Sequence, residues 1–227
     1  MKKILFTLAL TNLLIICALP QDCTFYYPEK KGAVLEYKSY DHKDNLTGTT
    51  RSQVKDFVKN GNNLSAVIET EAFDKKGKPL GTNEFTVKCE NGIFYIDMKN
   101  FMNPQTMEAY KDMEVSVKSD NLLMPSNMKV GDKLNDGSLV ITVSNAGMKI
   151  MTMTTTITNR KVDAKEKITT PAGTFECYKI SYDMTTKMMM TIKLNAVEWY
   201  AKDVGMVKSE SYKDGKLSGS TVLTSIE

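Results

Sequence analysis

The stretch ITTPAGTFECYKISYD, residues 168–183, has the pattern of two β-strands around a tight turn. Pro171 presets one backbone dihedral, and Gly173 tolerates the positive φ that many such turns need. After the turn, Tyr178 and Ile180 alternate with polar residues, as in a strand with one buried face. The stretch therefore predicts a β-hairpin and indicates a structural role rather than a functional site.

The same two-residue alternation recurs along most of the chain, between short polar turns such as Asn91-Gly92 and Asp214-Gly215. Strands this close in sequence pair with their neighbours in an antiparallel meander. The twist of so long a meander accumulates until the sheet curls or closes. We therefore expect an all-β fold, a large antiparallel meander curled into an open or flattened barrel. The expected strands are 33–40, 50–59, 64–73, 83–90, 93–98, 114–119, 138–145, 148–159, 161–169, 174–185, 188–200, 206–213 and 217–226.

One interruption of the strand pattern is helical. Asn103 and Pro104 supply an N-cap and a first-turn proline, and Met107, Tyr110 and Met113 recur at helical spacing. We expect a short helix over 103–113 that closes one end or face of the sheet.

The amino-terminal sequence has the features of a secretory signal peptide. Lys2 and Lys3 precede an apolar stretch that ends near Leu19 and is short for a spanning helix. We expect residues 1–20 to be a signal peptide and residues 21–227 to form a single β domain. The expected location is the periplasm or the outer membrane, with release from the cell as an alternative.

Neither anchoring nor nucleic-acid binding is favoured by the remaining sequence. The residues before Cys17 and Cys23 do not make a good lipobox, so we prefer free export to a lipid anchor. No later segment is apolar enough to span a bilayer. The formal charge of the whole chain is only +3 and falls when the leader lysines are removed, which gives no electrostatic reason to expect nucleic acid as a partner.

No catalytic constellation is visible in the sequence. The one histidine, His42, lies in a charged turn, where a solvated side chain is the better interpretation than a general base. Phosphate-binding glycine loops and paired-cysteine metal motifs are lacking as well. We therefore expect a protein that is not an enzyme and uses no cofactor.

Three cysteines, Cys23, Cys89 and Cys177, remain after export and allow at most one intramolecular disulfide. Free buried thiols, which pack as small hydrophobes, are an equal alternative to a bond. If a bond forms, we expect Cys23 to pair with Cys89, because a flexible amino-terminal segment gains most from being tied down.

Methionine is unusually frequent, with 15 in 227 residues. Alternation along 186–196 places Met188, Met190 and Ile192 on one face, which we expect to be buried, and Met151 and Met153 lie on another hairpin. Filling of an irregular core is one interpretation, and an adaptable cavity for an acyl chain or another apolar ligand is a second. Binding of Cu(I) by paired thioethers is a third, which the lack of clustered histidines does not support.

Trp199 and Tyr200 end a strand beside the turn at Gly205. An aromatic pair in this position is typical of the rim of a core. With the helix over 103–113, these two residues are our candidates for the mouth of a cavity.

Four motifs carry a resemblance to a known family. TTPAGTFECYKISYD (169–183), MKVGDKLNDGS (128–138), KGAVLEYKSYD (31–41) and EWYAKDVGMVKSES (198–211) are similar to motifs of exported proteins of Gram-negative bacteria known as TapB-like. The architecture also resembles that described as YmcC-like. The resemblance covers nearly the whole chain after the leader and implies a signal peptide followed by one large β domain. It implies no reaction and no functional residue.

These observations lead to a first hypothesis, a non-enzymatic cell-envelope protein that binds an apolar small molecule or lipid in a methionine-lined β domain. The alternative is an envelope assembly or scaffolding factor whose partner is another envelope protein, bound through exposed sheet edges or an aromatic patch. A hydrolase is the third hypothesis and would require a polar cleft with reacting groups in contact.

Overall fold

Thirteen antiparallel β-strands form one sheet in the computed structural model, which describes residues 22–102, 110 and 112–227. The strands are β1 (Val34–Asp41), β2 (Leu46–Asn60), β3 (Asn63–Asp74), β4 (Pro79–Glu90), β5 (Ile93–Asp97), β6 (Glu114–Ser119), β7 (Asn121–Pro125), β8 (Gly137–Asn145), β9 (Met148–Thr170), β10 (Gly173–Lys187), β11 (Thr191–Ala201), β12 (Gly205–Lys213) and β13 (Lys216–Ile226). A 3-10 helix, Met98–Phe101, follows β5. The all-β prediction and the curled antiparallel sheet are confirmed.

The sheet is a meander whose first and last strands pair with each other. Its order is β6-β8-β9-β10-β11-β12-β13-β1-β2-β3-β4-β5-β7, so that β13 and β1 lie in the middle. Leu35 is opposite Ile226, and Asp41 is opposite Gly219. The sheet curls into a nearly closed barrel with one unsealed seam.

The seam lies between β6 and β7, which follow each other in the chain but occupy opposite edges of the sheet. Asp120, between these strands, links the two edges. Its N–H donates to the carbonyl of Ser138 at 2.9 Å, and its own carbonyl accepts from the N–H of Met98 at 3.1 Å. The chain itself therefore crosses the seam at this point.

The amino-terminal segment closes one end of the barrel, which we call the plugged end. Phe25 and Tyr26 are buried there and make edge-to-face contacts with Phe94 at 5.4 and 5.3 Å between ring centroids. A disulfide joins Cys23 to Cys89, the pairing preferred from the sequence, and Cys177 stays a buried thiol. The segment is thereby held by both packing and a covalent bond.

The other end, which we call the open end, carries the turns that follow β1, β3, β8, β10 and β12. Three of these turns are charged, whereas the turn after β10 consists of Met188–Met190 and the turn after β8 leads into Met148. Between the two ends, the interior of the barrel is lined by every second residue of each strand.

Most predicted strands are present, with three differences. The predicted segments 148–159 and 161–169 are one strand, β9, and β7 was not predicted. The predicted strand 188–200 begins only at Thr191, because Met188–Met190 form the turn after β10. The expected helix over 103–113 and the signal peptide over 1–20 fall almost wholly outside the described residues. Within the described chain, no helix combines the length and apolar character that crossing a membrane requires.

A cavity inside the barrel as the candidate binding site

A cavity of about 370 Å³ occupies the barrel interior. Its wall is aromatic near the plugged end and rich in hydroxyl groups farther along. The aromatic lining residues are Tyr27, Tyr37, Phe85, Phe94 and Tyr200. The hydroxyl-bearing ones are Ser39, Thr50, Ser52, Thr70, Ser209 and Thr221. The cavity is therefore amphipathic.

The interior space continues toward the open end. A second cavity of about 330 Å³ shares four residues with the first, namely Ser39, Glu198, Ser209 and Thr221. It adds Met184, near the end of β10, and Ser211, near the end of β12. Because both strands run toward the open end, the cavity has its mouth there.

Glu198 is the acidic residue that lines both cavities. The hydroxyl of Tyr182 donates to its Oε1 at 2.7 Å, and the hydroxyl of Tyr200 donates to its Oε2 at 2.8 Å. Burial raises the pKa of Glu198, and the two phenol hydrogen bonds oppose part of that rise. Burial and the nearby carboxylate raise the pKa of both tyrosines, which keeps them as donors.

Arg160 supplies a positive charge behind this group. It is only 4% exposed, and its Nη1 donates to the carbonyls of Leu123 and Asn135 at 3.2 and 3.1 Å. Desolvation lowers the pKa of Arg160, while its charge helps to hold down the pKa of Glu198. A guanidinium with such neutral acceptors is held in place but not neutralised by them.

A β-bulge positions Arg160. The register between β9 and β10 shifts here, and Asn159 has a φ of 58°, a left-handed conformation that asparagine tolerates better than most residues. The amide of Asn159 donates to Asp183 Oδ2 at 2.7 Å and holds the bulge against β10. The break predicted between 159 and 161 therefore corresponds to this bulge within a continuous strand.

Of the two predicted aromatic candidates, only Tyr200 lines the cavity. Trp199 lies on the opposite face of β11, where its Nε1 donates to Glu166 Oε1 at 2.7 Å. The ammonium groups of Lys179 and Lys208 lie 5.4 and 5.2 Å from its ring centroid. Trp199 is thus covered by lysine side chains on the outside of the barrel, and its predicted place at the mouth is wrong because successive residues of a strand face opposite sides.

The prediction that Met188, Met190 and Ile192 line a buried face is also wrong. These side chains are 52, 76 and 50% exposed. The alternation that predicted their burial does not apply, because Met188 and Met190 lie in a turn. Met151 and Met153 are partly buried against a core cluster that contains Val143 and Ile157, and neither lines the cavities described above.

The sequence interpretation missed Glu198, Tyr182 and Arg160 as a group. The signal was an acidic residue between Ala196 and Tyr200 on the same strand face, where one buried side demands apolar residues. Among the described residues, no three histidine, cysteine or acidic side chains are grouped to hold a metal ion. The arrangement offers a carboxylate acceptor inside an aromatic and hydroxyl-lined space.

The protein thus belongs to the class of antiparallel β-barrels with an internal amphipathic cavity. Residues 30–223 match the model of the DUF3108-like family, and the chain belongs to that family. No match is found among curated proteins.

Two solved structures are similar over nearly the whole chain. One, from Bacteroides fragilis, is provisionally described as an exported protein with a YmcC-like fold; its identity to this chain is 26%, its TM-score is 0.75, and the match covers 90% of this chain and 100% of that one. The other, from Parabacteroides distasonis, is provisionally described as a lipoprotein; the identity is 26%, the TM-score 0.76, and the coverage 91% and 100%. The YmcC-like resemblance and the relation to exported proteins are therefore confirmed at the level of fold and family.

Proposed function

We propose that this protein is a non-enzymatic component of the cell envelope that binds a small amphipathic molecule inside the barrel. The observation that carries the proposal is the cavity of about 370 Å³ with a buried carboxylate in its wall. Both the export that this location requires and membership of the TapB-like family remain predictions from the sequence.

The lining defines the chemistry of the ligand. Phe85 and Phe94 favour an apolar body, whereas Ser39 and Thr221 offer hydroxyl groups. Each oxygen of Glu198 accepts one phenol hydrogen bond and keeps capacity for another donor. A ligand with an apolar portion and a hydroxyl or amine group fits this lining better than a plain acyl chain, for which the sequence predicted a methionine-lined cavity.

The contacts of Glu198 favour binding over catalysis. Its carboxylate faces two phenols, and burial makes both phenols poorer acids. Neither His42, in the turn after β1, nor Cys177, in a cluster with Trp199, belongs to the cavity lining. The group is therefore suited to accept hydrogen bonds from a bound molecule.

Native mass spectrometry of the protein purified gently from an envelope fraction tests this proposal. We expect a bound molecule of one defined mass, released by organic solvent. Thr50→Leu places a larger side chain at the cavity wall without removing any hydrogen bond of the Thr50 hydroxyl seen in the structure, and should lose the adduct. Thr82→Leu makes the same change at an exposed position of β4 and should keep it.

Glu198→Gln separates recognition of the polar group from filling of the cavity. We expect the adduct to be reduced about tenfold, because the loss of a charged acceptor costs more than that of a neutral one. A bare protein mass in the unmodified chain, or equal adduct in Thr50→Leu and Thr82→Leu, would contradict the proposal.

A further inference from the structure

Two turns at the open end present exposed apolar side chains. In the turn after β10, Met188, Met189 and Met190 are 52, 92 and 76% exposed. In the turn after β8 and the start of β9, Met148 and Ile150 are 73 and 55% exposed. We call these two turns the methionine tips. Exposed apolar residues grouped in this way mark an interaction surface.

The two tips lie on neighbouring strands at the open end, at different heights. Thr154 of β9 is opposite Lys187 of β10, so the turn after β10 lies beside the residues of β9 just before Thr154. The turn after β8 joins β9 at Met148, six residues before Thr154, so this tip extends farther from the barrel. Both tips extend beyond Met184, which lines the mouth of the cavity. The apolar surface and the mouth are therefore at the same end of the barrel.

Lysines flank the methionine tips. Lys149, Lys187 and Lys193 are exposed. Within the described part of the chain, none of them has a carboxylate at ion-pair distance.

Acidic groups also lie near this end, but none that the structure describes forms an ion pair with these lysines. Asp183, four residues before Lys187 on β10, accepts amide hydrogen bonds from Asn159 and Asn195, which hold its carboxylate in place. Asp112 and Glu114 are exposed. Glu114 of β6 is opposite Ser144 of β8, which is itself opposite Lys149 of β9, so this carboxylate lies two strands away from Lys149. The tips thus combine apolar side chains with unpaired positive charge.

We propose that the methionine tips dock the protein on an anionic phospholipid bilayer, with the cavity mouth facing the lipid. Unbranched thioether side chains adapt to a fluid, irregular surface and can enter the boundary between headgroups and acyl chains. The flanking lysines reach anionic headgroups, as basic residues do beside membrane-bound apolar segments. Lysine is depleted at protein–protein interfaces and is attracted to anionic lipid, so the lysines beside both tips favour lipid over a protein partner.

Sedimentation with vesicles tests the docking. The unmodified chain should bind vesicles of phosphatidylglycerol and phosphatidylcholine, and binding should weaken in pure phosphatidylcholine and at high salt. Replacing all three turn methionines (Met188→Ser, Met189→Ser and Met190→Ser) should weaken binding at least tenfold, about the effect of withdrawing one large apolar side chain from lipid.

A second set of variants tests the charges. Each of Lys149→Gln, Lys187→Gln and Lys193→Gln should weaken binding to anionic vesicles about fivefold at low salt. Val58→Ser with Val130→Ser, at exposed apolar positions 52 and 58% exposed and away from the tips, serves as the matched control and should not change binding. All changes are at exposed side chains, and equal melting temperatures will show that the variants fold.

Equal vesicle binding by the triple methionine variant and the control would overturn the proposal. So would a photo-crosslinker at position 189 that captures one envelope protein in cells and no lipid. The docking does not depend on a ligand in the cavity: Thr50→Leu should lose the adduct and keep vesicle binding, so that failure of one proposal can be told from failure of the other.

Discussion

Replacement of Gly205 tests how much the packing at the plugged end contributes to stability. Its φ is 108°, and a Cβ at this position would lie 2.8 Å from the carbonyl oxygen of Tyr26. Gly205→Ala therefore suffers both an unfavourable dihedral and a clash with backbone that carries the plug. We expect the free energy of unfolding to fall by about 3 kcal/mol, measured by urea denaturation at neutral pH.

Gly215→Ala is the matched control. Gly215 also has a positive φ, 74°, but nothing lies within 4 Å of the Cβ position. Its loss should be limited to the backbone term, about 1 kcal/mol. Equal losses in the two variants would mean that the contact between Gly205 and Tyr26 has no energetic role.

The pH dependence of stability tests the environment of Glu198. Burial raises its pKa in the folded protein, so the folded chain holds a proton that the unfolded chain has already released. The free energy of unfolding of the parent should thus fall as pH rises from about 4.3, the usual unfolded pKa, through the folded pKa. Glu198→Gln lacks this dependence.

The comparison of these two proteins isolates the contribution of Glu198. Between about pH 4 and pH 7, the free energy of unfolding of Glu198→Gln should rise relative to that of the parent, because only the parent loses the contribution of Glu198. Other titrating groups, such as Asp41 and Asp74, are the same in both proteins and cancel in the difference. Parallel pH profiles would show that Glu198 has the same pKa folded and unfolded, against the assignment of a buried carboxylate.

Glu198 and Trp199 show what the alternation of residues along a strand can and cannot predict. Alternation identifies which residues share a strand face, and it places Tyr200 on the same face as Glu198, although the sequence interpretation paired Tyr200 with Trp199. It does not say which face is inside when both carry aromatic residues. Lys179 of β10 and Lys208 of β12 cover Trp199 on the outer face. The sequence does not reveal the register of these neighbouring strands, so it could not predict this contact.

At the scale of elements, the disulfide holds the amino-terminal segment to β4. Cys23 and Cys89 are 66 residues apart, and closing a loop of this length in the unfolded chain corresponds to about 4 kcal/mol of stabilisation. We expect Cys23→Ala with Cys89→Ala to lose about that amount in urea denaturation under oxidising conditions. A reductant should affect the parent alone.

Cys177→Ala distinguishes loss of the bond from loss of a buried sulfur. Cys177 is 0% exposed, so its replacement should cost only the packing of one small side chain, about 1 kcal/mol. Similar losses in the double and single variants would show that the bond itself contributes little.

Burial also raises the pKa of Cys177 to about 11, so the folded protein should resist alkylation that the unfolded chain undergoes.

Element boundaries were predictable where turns carry glycine, proline or asparagine and not where they are apolar. Asn91-Gly92 and Pro171 marked their turns correctly. Met188–Met190 form a turn without any of these residues, and the strand pattern was therefore extended through it. The short strand β7 was missed because it has no turn of its own, since only Asp120 separates it from β6.

For the whole molecule, local patterns predicted the meander but not how it closes. Neighbouring strands pair because they are close in sequence, whereas β1 and β13 pair across most of the chain, with the Thr224 hydroxyl donating to the Glu36 carbonyl at 3.1 Å. The separation of β6 and β7 to opposite edges is likewise a property of the closed sheet. Strand alternation carries no information about such distant pairings.

The central place of β13 makes the whole fold depend on the end of the chain. Deleting residues 216–227 would leave β12 and β1 without their shared partner and divide the sheet into two parts. We expect this variant to lose near-ultraviolet circular dichroism and cooperative unfolding, because neither half has a complete core. Asp120→Ala, which removes the hydrogen bond from the Ser138 N–H at the seam, should cost only about 1 kcal/mol and leave unfolding cooperative. If the truncated chain still unfolded cooperatively, the two halves would be independent folding units, and the pairing of β1 with β13 would serve to enclose the cavity rather than to hold the protein together.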